Sequence, residues 1–483
     1  MQLNPTVKLF LIGCVLSVLT NIPSGFTHTS VNTAMNELNA YLNESFIIRG
    51  IYLSHMDLSY LRSAINSCWY AGQIIGSLFS PLITDTYGRK AGYLIATFAM
   101  TFACAVQAIA VRMPYPEILI AGRVFASMFS PLSDAVLVLY LQECAPTNLR
   151  GQLASLFASG YAAMCLLGMI LGINHILGHS LSMLLFVPVI PGCLGMIFLA
   201  FLPETPKFLM ITKKDRDAAV KSLKYFRGEC DASSQIVDEY LCEVPAKDAL
   251  QRSSVADLFR ISHIREALIL SFMVLALTLP FYAILQSSTY FFLAINLPHK
   301  MAQISSTMMM VVMFVCGLIA PFLIERFPRR SLLIFCGVLT ILSLTSFIVC
   351  GIIASDYPLM RYGALFSLVG YLIAYGSSIG PVSWFISAEL VPQHYRANMF
   401  CVCCALHSFF VVLTNFLTLP FFNMFGPISF VPLFVIPAVF AVLYLERYLP
   451  ETKDREIHDI VDAIKTKRKT VPVYKTTRLS IDA

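Results

Sequence analysis

The chain has 483 residues, 57% of them hydrophobic and only 13% charged, with a formal net charge of +6 and a mean hydropathy of +0.72. Soluble domains carry about twice that charged fraction, so a water-soluble fold is excluded and a bilayer-embedded one is expected. Glycine-rich phosphate loops and the H-E-x-x-H zinc pattern are absent, which argues against an enzyme.

Apolar stretches long enough to cross a bilayer, about 20 residues, recur near 8–30, 60–83, 92–111, 118–141, 151–174, 181–202, 266–294, 302–324, 331–354, 361–387, 397–420 and 426–448. They predict an all-α membrane protein of twelve transmembrane helices, six on each side of the polar stretch 203–265. The expected units are a six-helix bundle over 1–202, a central loop over 203–265, a second six-helix bundle over 266–448 and a tail over 449–483. The first apolar stretch is too long, and lacks the small-residue cleavage site, to be a removable signal peptide.

Basic residues set the expected orientation. Lys207, Lys213, Lys214, Arg216, Lys221, Lys224 and Arg227 crowd the central loop, and Lys465, Lys467, Arg468 and Lys469 crowd the tail. Arg89, Lys90, Arg150, Arg326, Arg329, Arg330 and Arg396 fall in short loops on the same side. By the positive-inside rule both termini and the central loop face the cytoplasm, and the net charge reflects topology rather than nucleic-acid binding. The tail is read as solvated in preference to a patch on anionic lipid. The segment 31–59 then faces outward and carries a glycosylation acceptor, Asn43-Glu44-Ser45. The 14 cysteines lie mostly within apolar spans, where a thiol packs as a small hydrophobe, and no disulfide framework is expected.

Three charged patterns occur twice, about 245 residues apart. Glu143-x-x-Pro146-x-x-x-Arg150 returns as Glu389-x-x-Pro392-x-x-x-Arg396. Asp85-Thr-Tyr-Gly-Arg89-Lys90 returns as Glu325-Arg-Phe-Pro-Arg329-Arg330, and Pro203-Glu204-Thr205 returns as Pro450-Glu451-Thr452. Repeated halves are the design in which a solute is held between two bundles that rock about it. Charges at the ends of membrane spans are costly unless paired. Ion pairs among these residues and Arg123 are therefore expected to form when the halves close on the inside and to break when they open.

Together with Gly122-Arg123, Pro203-Glu-Thr-Pro-Lys-Phe208, Gly380-Pro-Val-Ser-Trp384 and Pro450-Glu-Thr-Lys453, these motifs resemble the sugar porter family of the major facilitator superfamily, and within it the animal facilitative glucose transporters. The resemblance covers essentially the whole chain. It implies two six-helix bundles, short helices in the central loop, alternating access and a sugar or sugar-like cargo, with the plasma membrane as the expected location.

The family's sugar-contacting pattern is only partly kept. Its paired glutamines on the seventh span fall on Pro280 and Phe281, and the asparagine after them on Gln286. Other amide and carboxylate positions fall on Ala158, Met313, Ser378 and His407, whereas the tenth-span tryptophan is kept as Trp384. Two readings stay open: a sugar-like or polyol cargo held by Gln286, Trp384, His407, Asn415, Tyr282 and Tyr290, or a less polar or anionic cargo. Proton-driven relatives place an aspartate after a Gly-aromatic pair on the first span. Here Gly25-Phe26 is followed by Thr27, so a passive uniporter is expected over a proton-coupled symporter, and His28 reads as a hydrogen-bonded histidine near the outer vestibule. The Cys401-x-Cys403-Cys404-x-x-His407 run points in different directions around a helix and reads as packing, so no metal and no cofactor is expected. The short tail disfavours a non-transporting solute sensor. The sequence does not fix an oligomeric state.

Overall fold

The computed structural model describes residues 4–146, 149–228, 233–242, 255–392, 395–453, 455 and 457–466. Among the described residues twelve helical spans form its body, in two groups of six. The first group is Pro5–Thr33, His55–Tyr87, Arg89–Ala110, Pro116–Cys144, Arg150–Leu171 and Leu181–Phe201. The second is Ser262–Ala294, His299–Arg326, Arg329–Ile353, the tenth span that runs from Met360–Ala374 into Gly380–Glu389, Arg396–Phe425 and Val431–Tyr448. Their side chains are apolar on nearly every face because a helix in lipid satisfies its backbone internally and offers only side chains to the bilayer. The second span carries Asp57, Arg62, Asn66 and Gln73, which gives it the weakest apolar signature of the set.

Small residues bring the spans of the first group into backbone contact. A Cβ on Gly168 would lie 2.7 Å from the Phe26 carbonyl, and one on Gly72 would lie 2.6 Å from that of Val124. Thr29 and Thr33 then donate across the seam to the carbonyls of Cys165 and Met169 at 2.8 and 3.1 Å. Close backbone approach with hydroxyl cross-bonds is how membrane helices associate where lipid removes the hydrophobic drive.

Three spans are interrupted at mid-depth. The first has a π turn over Ile22–Phe26 beside Pro23, the seventh breaks between Ala276 and Leu279 just before Pro280, and the tenth has a π turn over Tyr375–Ile379 before Gly380-Pro381. Such breaks free backbone groups and re-aim side chains, and they gather at functional sites. Short helices Pro206–Phe208, Arg216–Arg227, Ser233–Cys242, Asp257–Arg260 and Ile457–Thr466 lie at the end of the molecule that holds the charged repeats. At the opposite end the segment read as a loop contains a helix, Met35–Ile48, and Asn43 sits on it.

Candidate functional site: a layer between the halves

The interrupted helices surround one continuous layer of rings and amides. His28, just past the first π turn, packs edge-on to Trp69 with centroids 4.6 Å apart, stacks on Tyr70 at 5.7 Å, and shares a hydrogen bond between Nδ1 and the Tyr161 hydroxyl at 3.2 Å. Its place is therefore the interior of the first bundle under two aromatic rings. Tyr70 crosses to the second half, where Gln286 Nε2 donates to its hydroxyl at 3.2 Å and Tyr282 packs on it at 5.1 Å. Tyr282 touches His407 at 5.4 Å, His407 bonds Thr278 Oγ1 at 2.9 Å, and its ring meets Trp384 at 5.8 Å. Phe281 stacks on Tyr375 at 3.9 Å.

Of the six residues singled out for the solute, Gln286, Tyr282, His407 and Trp384 come together in this layer. Trp384 is 43% exposed, while Gln286 and His407 are buried. Asn415 is buried with its Nδ2 lacking a protein partner. Tyr290 lies elsewhere, at the end opposite the charged repeats. Four buried polar atoms in or beside this layer have no protein partner: His28 Nε2, Trp69 Nε1, Gln286 Oε1 and Arg123 Nε. A buried donor or acceptor left unpaired costs about 1–3 kcal/mol, so each is open to a bond from another molecule. Trp69, Tyr70, Tyr161 and Thr278 were not singled out from the sequence, because aromatic residues in apolar spans carry no signal that separates lining from packing.

Hydrogen bonds between described residues of the two halves lie at the middle and at the end opposite the charged repeats. Asn32 Nδ2 donates to the Leu285 carbonyl at 3.0 Å and to Ser288 Oγ at 2.9 Å, and its Oδ1 accepts from the Thr289 amide at 3.2 Å. Gln303 donates to the Thr33 carbonyl at 2.7 Å, and Asn66 to Ser287 at 3.4 Å. Asn423 donates to Ser59 and accepts from the Tyr290 hydroxyl. This set forms a polar seal.

At the charged end the two halves build closely similar clusters, although Thr452 Oγ1 lacks the bond that Thr205 makes. Arg89 Nε meets Glu143 Oε1 at 3.0 Å, Thr205 Oγ1 donates to Glu143 Oε2 at 2.5 Å, and Glu204 accepts the Lys90 amide at 3.0 and 3.1 Å. Half a chain later Arg329 pairs with Glu389, and Glu451 accepts the amides of Arg329 and Arg330 at 2.9 and 3.1 Å. Gly88, with φ of +100°, lets Glu204 in: a Cβ there would stand 2.5 Å from its Oε2. Burial outweighs these donors and the nearby Arg89, and holds the Glu204 carboxyl above the usual range. Both described ion pairs lie within a half and not between halves, because each arginine caps the start of one span beside the end of the next. Glu325 is exposed, and Arg396 Nε has no protein partner. The side chains of Asp85 and Arg150 lie outside the described residues. Arg123 is buried deep in the fourth span, away from this cluster. Among the described residues no group of His, Cys, Asp or Glu could hold a metal ion.

The family model described as "Sugar (and other) transporter" matches residues 11–463. The chain is 28% identical over 423 residues to "Solute carrier family 2, facilitated glucose transporter member 2" of Gallus gallus, covering 86% of this chain and 77% of that one. It is 26% identical over 480 residues to member 5 of the same carrier family in Homo sapiens, covering 97% and 94%. Among solved structures, the inward open conformation of the xylose transporter XylE from E. coli superposes with a TM-score of 0.77 at 18% identity, covering 94% of this chain and 99% of that one.

Proposed function

Because the chain belongs to the Sugar (and other) transporter family, we propose that it moves a sugar or sugar-like small solute across a membrane by alternating access, as a passive uniporter and without chemical transformation. The observation that carries this reading is the unbroken layer from His28 through Tyr70, Gln286 and His407 to Trp384, with unpaired polar atoms along it and contributions from both halves. A solute bonded by both halves favours the arrangement that closes around it, which is how binding drives a rocking carrier. The polar seal lies at the outward end and the charged repeats at the cytoplasmic end, with both termini cytoplasmic. Crowding of Lys and Arg at the repeats supports that orientation. The plasma membrane is the proposed location.

The test is uptake by proteoliposomes of labelled D-glucose, D-fructose, D-xylose and myo-inositol. Saturable, counterflow-competent uptake of at least one supports the reading. Uptake of all four at the rate of protein-free vesicles overturns it.

One observation favours a second reading, proton coupling. Asp134 sits inside the fourth span, where among the described residues Ser130 Oγ bonds to it at 3.5 Å, and intramembrane carboxylates often mark proton routes. Accumulation against a solute gradient under an imposed pH gradient, lost in Asp134→Asn, would favour coupling over uniport.

A further inference from the structure

Arg62 stands two turns into the second span from its outer end and is 6% exposed. Its guanidinium lies 4.4 Å from the centroid of the Tyr290 ring on the opposite half. The polar contact it makes among the described residues is from NH2 to Met35 Sδ at 2.8 Å, and a thioether is a weak acceptor. No carboxylate lies within ion-pair distance of it among the described residues. Of the acids toward that end, Asp57 caps its own helix through Ser54, and Glu117 pairs with Arg49 at 2.7 Å. A desolvated guanidinium held by a ring face and a sulfur is costly to keep, whereas arginine's usual partner in such a place is a bidentate carboxylate.

The ring that covers Arg62 is also part of the seal. Tyr290 donates to Asn423, and Asn423 reaches Ser59. When the halves part on the outside, Tyr290 leaves with the second half and Arg62 stays with the first. The guanidinium then faces the entry path with the Met35 thioether as its described polar contact. Arg62, Asn66 and Tyr70 are spaced i, i+4, i+8 on the second span and each meets the second half, so the stripe that begins at the mouth ends in the central layer.

A second buried cation waits there. Arg123 is 1% exposed, and its Nε has no protein partner. Its electrostatic neighbours are the thiols of Cys68 and Cys104, the Tyr70 hydroxyl and His28. Thr27 supplies no carboxylate, since its hydroxyl turns back to the Pro23 carbonyl. Asp134 lies three turns along the fourth span toward the inside, about 16 Å by helix rise, and bonds Ser130. Arg62 and Arg123 thus give the entry stripe and its central end a positive field with no described carboxylate facing either.

We propose that the solute is an organic anion, a carboxylate on a polyhydroxylated scaffold, and that Arg62 receives the carboxylate at the outer mouth. The proposal rests on the carrier reading and names its substrate class. A cationic mouth raises the local concentration of an anion and speeds its capture, and the released Tyr290 contact is replaced by a charge-assisted hydrogen bond.

The experiment compares matched pairs in proteoliposomes of the full chain: labelled D-gluconate against D-sorbitol, and D-glucuronate against D-glucose. Half-saturation for each carboxylate should lie at least about 10-fold below that of its neutral partner. Arg62→Gln should bring each matched pair to near-equal half-saturation, a loss of about 10-fold or more in preference, and Arg62→Lys should restore part of it. Stabilisation of the detergent-solubilised wild type by gluconate but not sorbitol gives a readout that needs no variant to fold. Uptake of the neutral partners with no preference for either carboxylate overturns the proposal and leaves the carrier reading standing. An Arg62→Gln protein that keeps the full preference overturns Arg62 as the receptor. Uptake of none of the four, with no ligand stabilisation, overturns the proposal, and the carrier reading falls with it only when D-fructose, D-xylose and myo-inositol are refused as well.

Discussion

Glu204 receives the backbone amide of Lys90 on both carboxylate oxygens, at 3.0 and 3.1 Å, and so ties the end of the first six-helix group to the start of its third span. A carboxylate against the first amides of a helix is a favourable cap. Glu451 repeats the contact on Arg329 and Arg330. Each half thereby carries one clamp of an arginine and two glutamates at the end that holds the charged repeats, joined in the first half by Thr205. A clamp internal to a half keeps that half one body, which is what two units rocking about a shared layer require.

The first prediction addresses those clamps. Glu143→Gln and Glu389→Gln each remove one partner of a half-buried ion pair and leave Arg89 or Arg329 short of charge, a loss of about 1–3 kcal/mol. Uptake per surface molecule should fall severalfold while surface expression is largely kept. Unchanged transport in both variants would show that the pairs are ornaments of topology.

Much of this was legible in the sequence, for a physical reason. Span count and the repeat follow from apolar runs and from charges that a bilayer tolerates only at helix ends, so Glu143, Arg89, Glu389 and Arg329 stood out. The partner of each charge did not follow, since spacing along the chain does not say whether an arginine caps its own half or reaches across. The central layer was half legible. Gln286 and His407 are polar interruptions in apolar spans, but Tyr70 and Trp69 look like ordinary lipid or core aromatics until helix packing turns them inward. Arg62 lies at the edge of the apolar stretch 60–83, where a cation reads as an end-of-span charge until packing buries it against Tyr290.

Helix packing in the first half gives the second prediction. A side chain at Gly72 would strike the Val124 carbonyl at 2.6 Å and at Gly168 the Phe26 carbonyl at 2.7 Å, both backbone atoms that cannot rotate away. Gly72→Val and Gly168→Val should each cost more than the roughly 1–3 kcal/mol of ordinary overpacking and abolish recovery of monodisperse protein. Gly317, with open space around its Cβ direction, is the control: Gly317→Val should purify normally. Equal yields from all three would refute the close approach of the spans.

Asn43 provides a topological check. Its sequon lies on the helix Met35–Ile48, and the Ser45 hydroxyl is buried, donating to the Tyr41 carbonyl at 2.7 Å. Transfer of a glycan therefore has to precede packing of that helix. In a eukaryotic host Asn43→Gln should remove a glycosidase-sensitive mass present in the wild type. If the wild type shows no such mass, labelling of a cysteine placed at Glu44 by a membrane-impermeant reagent from outside decides whether the segment faces outward.

The last prediction separates lining from packing in the central layer. Trp384 is the exposed member, set on the helix that follows the Gly380-Pro381 break and resting edge-on against His407. On the proposed solute path an indole there would cover one side whatever the cargo, so Trp384→Ala should lower transport of every accepted solute. Gln286 and His407 are different in kind. Gln286 spends its amide nitrogen on Tyr70 but keeps Oε1 unpaired, and His407 spends Nε2 on Thr278. Gln286→Ala therefore removes a buried acceptor available to a solute, along with the bond across the halves. His407→Ala empties volume beside Tyr282 and Trp384. Each should alter the rank order of accepted solutes, by about 5- to 150-fold for one lost buried hydrogen bond. Tyr70→Phe discriminates further: it frees the Gln286 amide without touching Oε1, and should weaken closure of the halves while leaving the rank order as in wild type. A solute panel in which Gln286→Ala and Tyr70→Phe behave alike would mean that Gln286 serves only to latch the halves together.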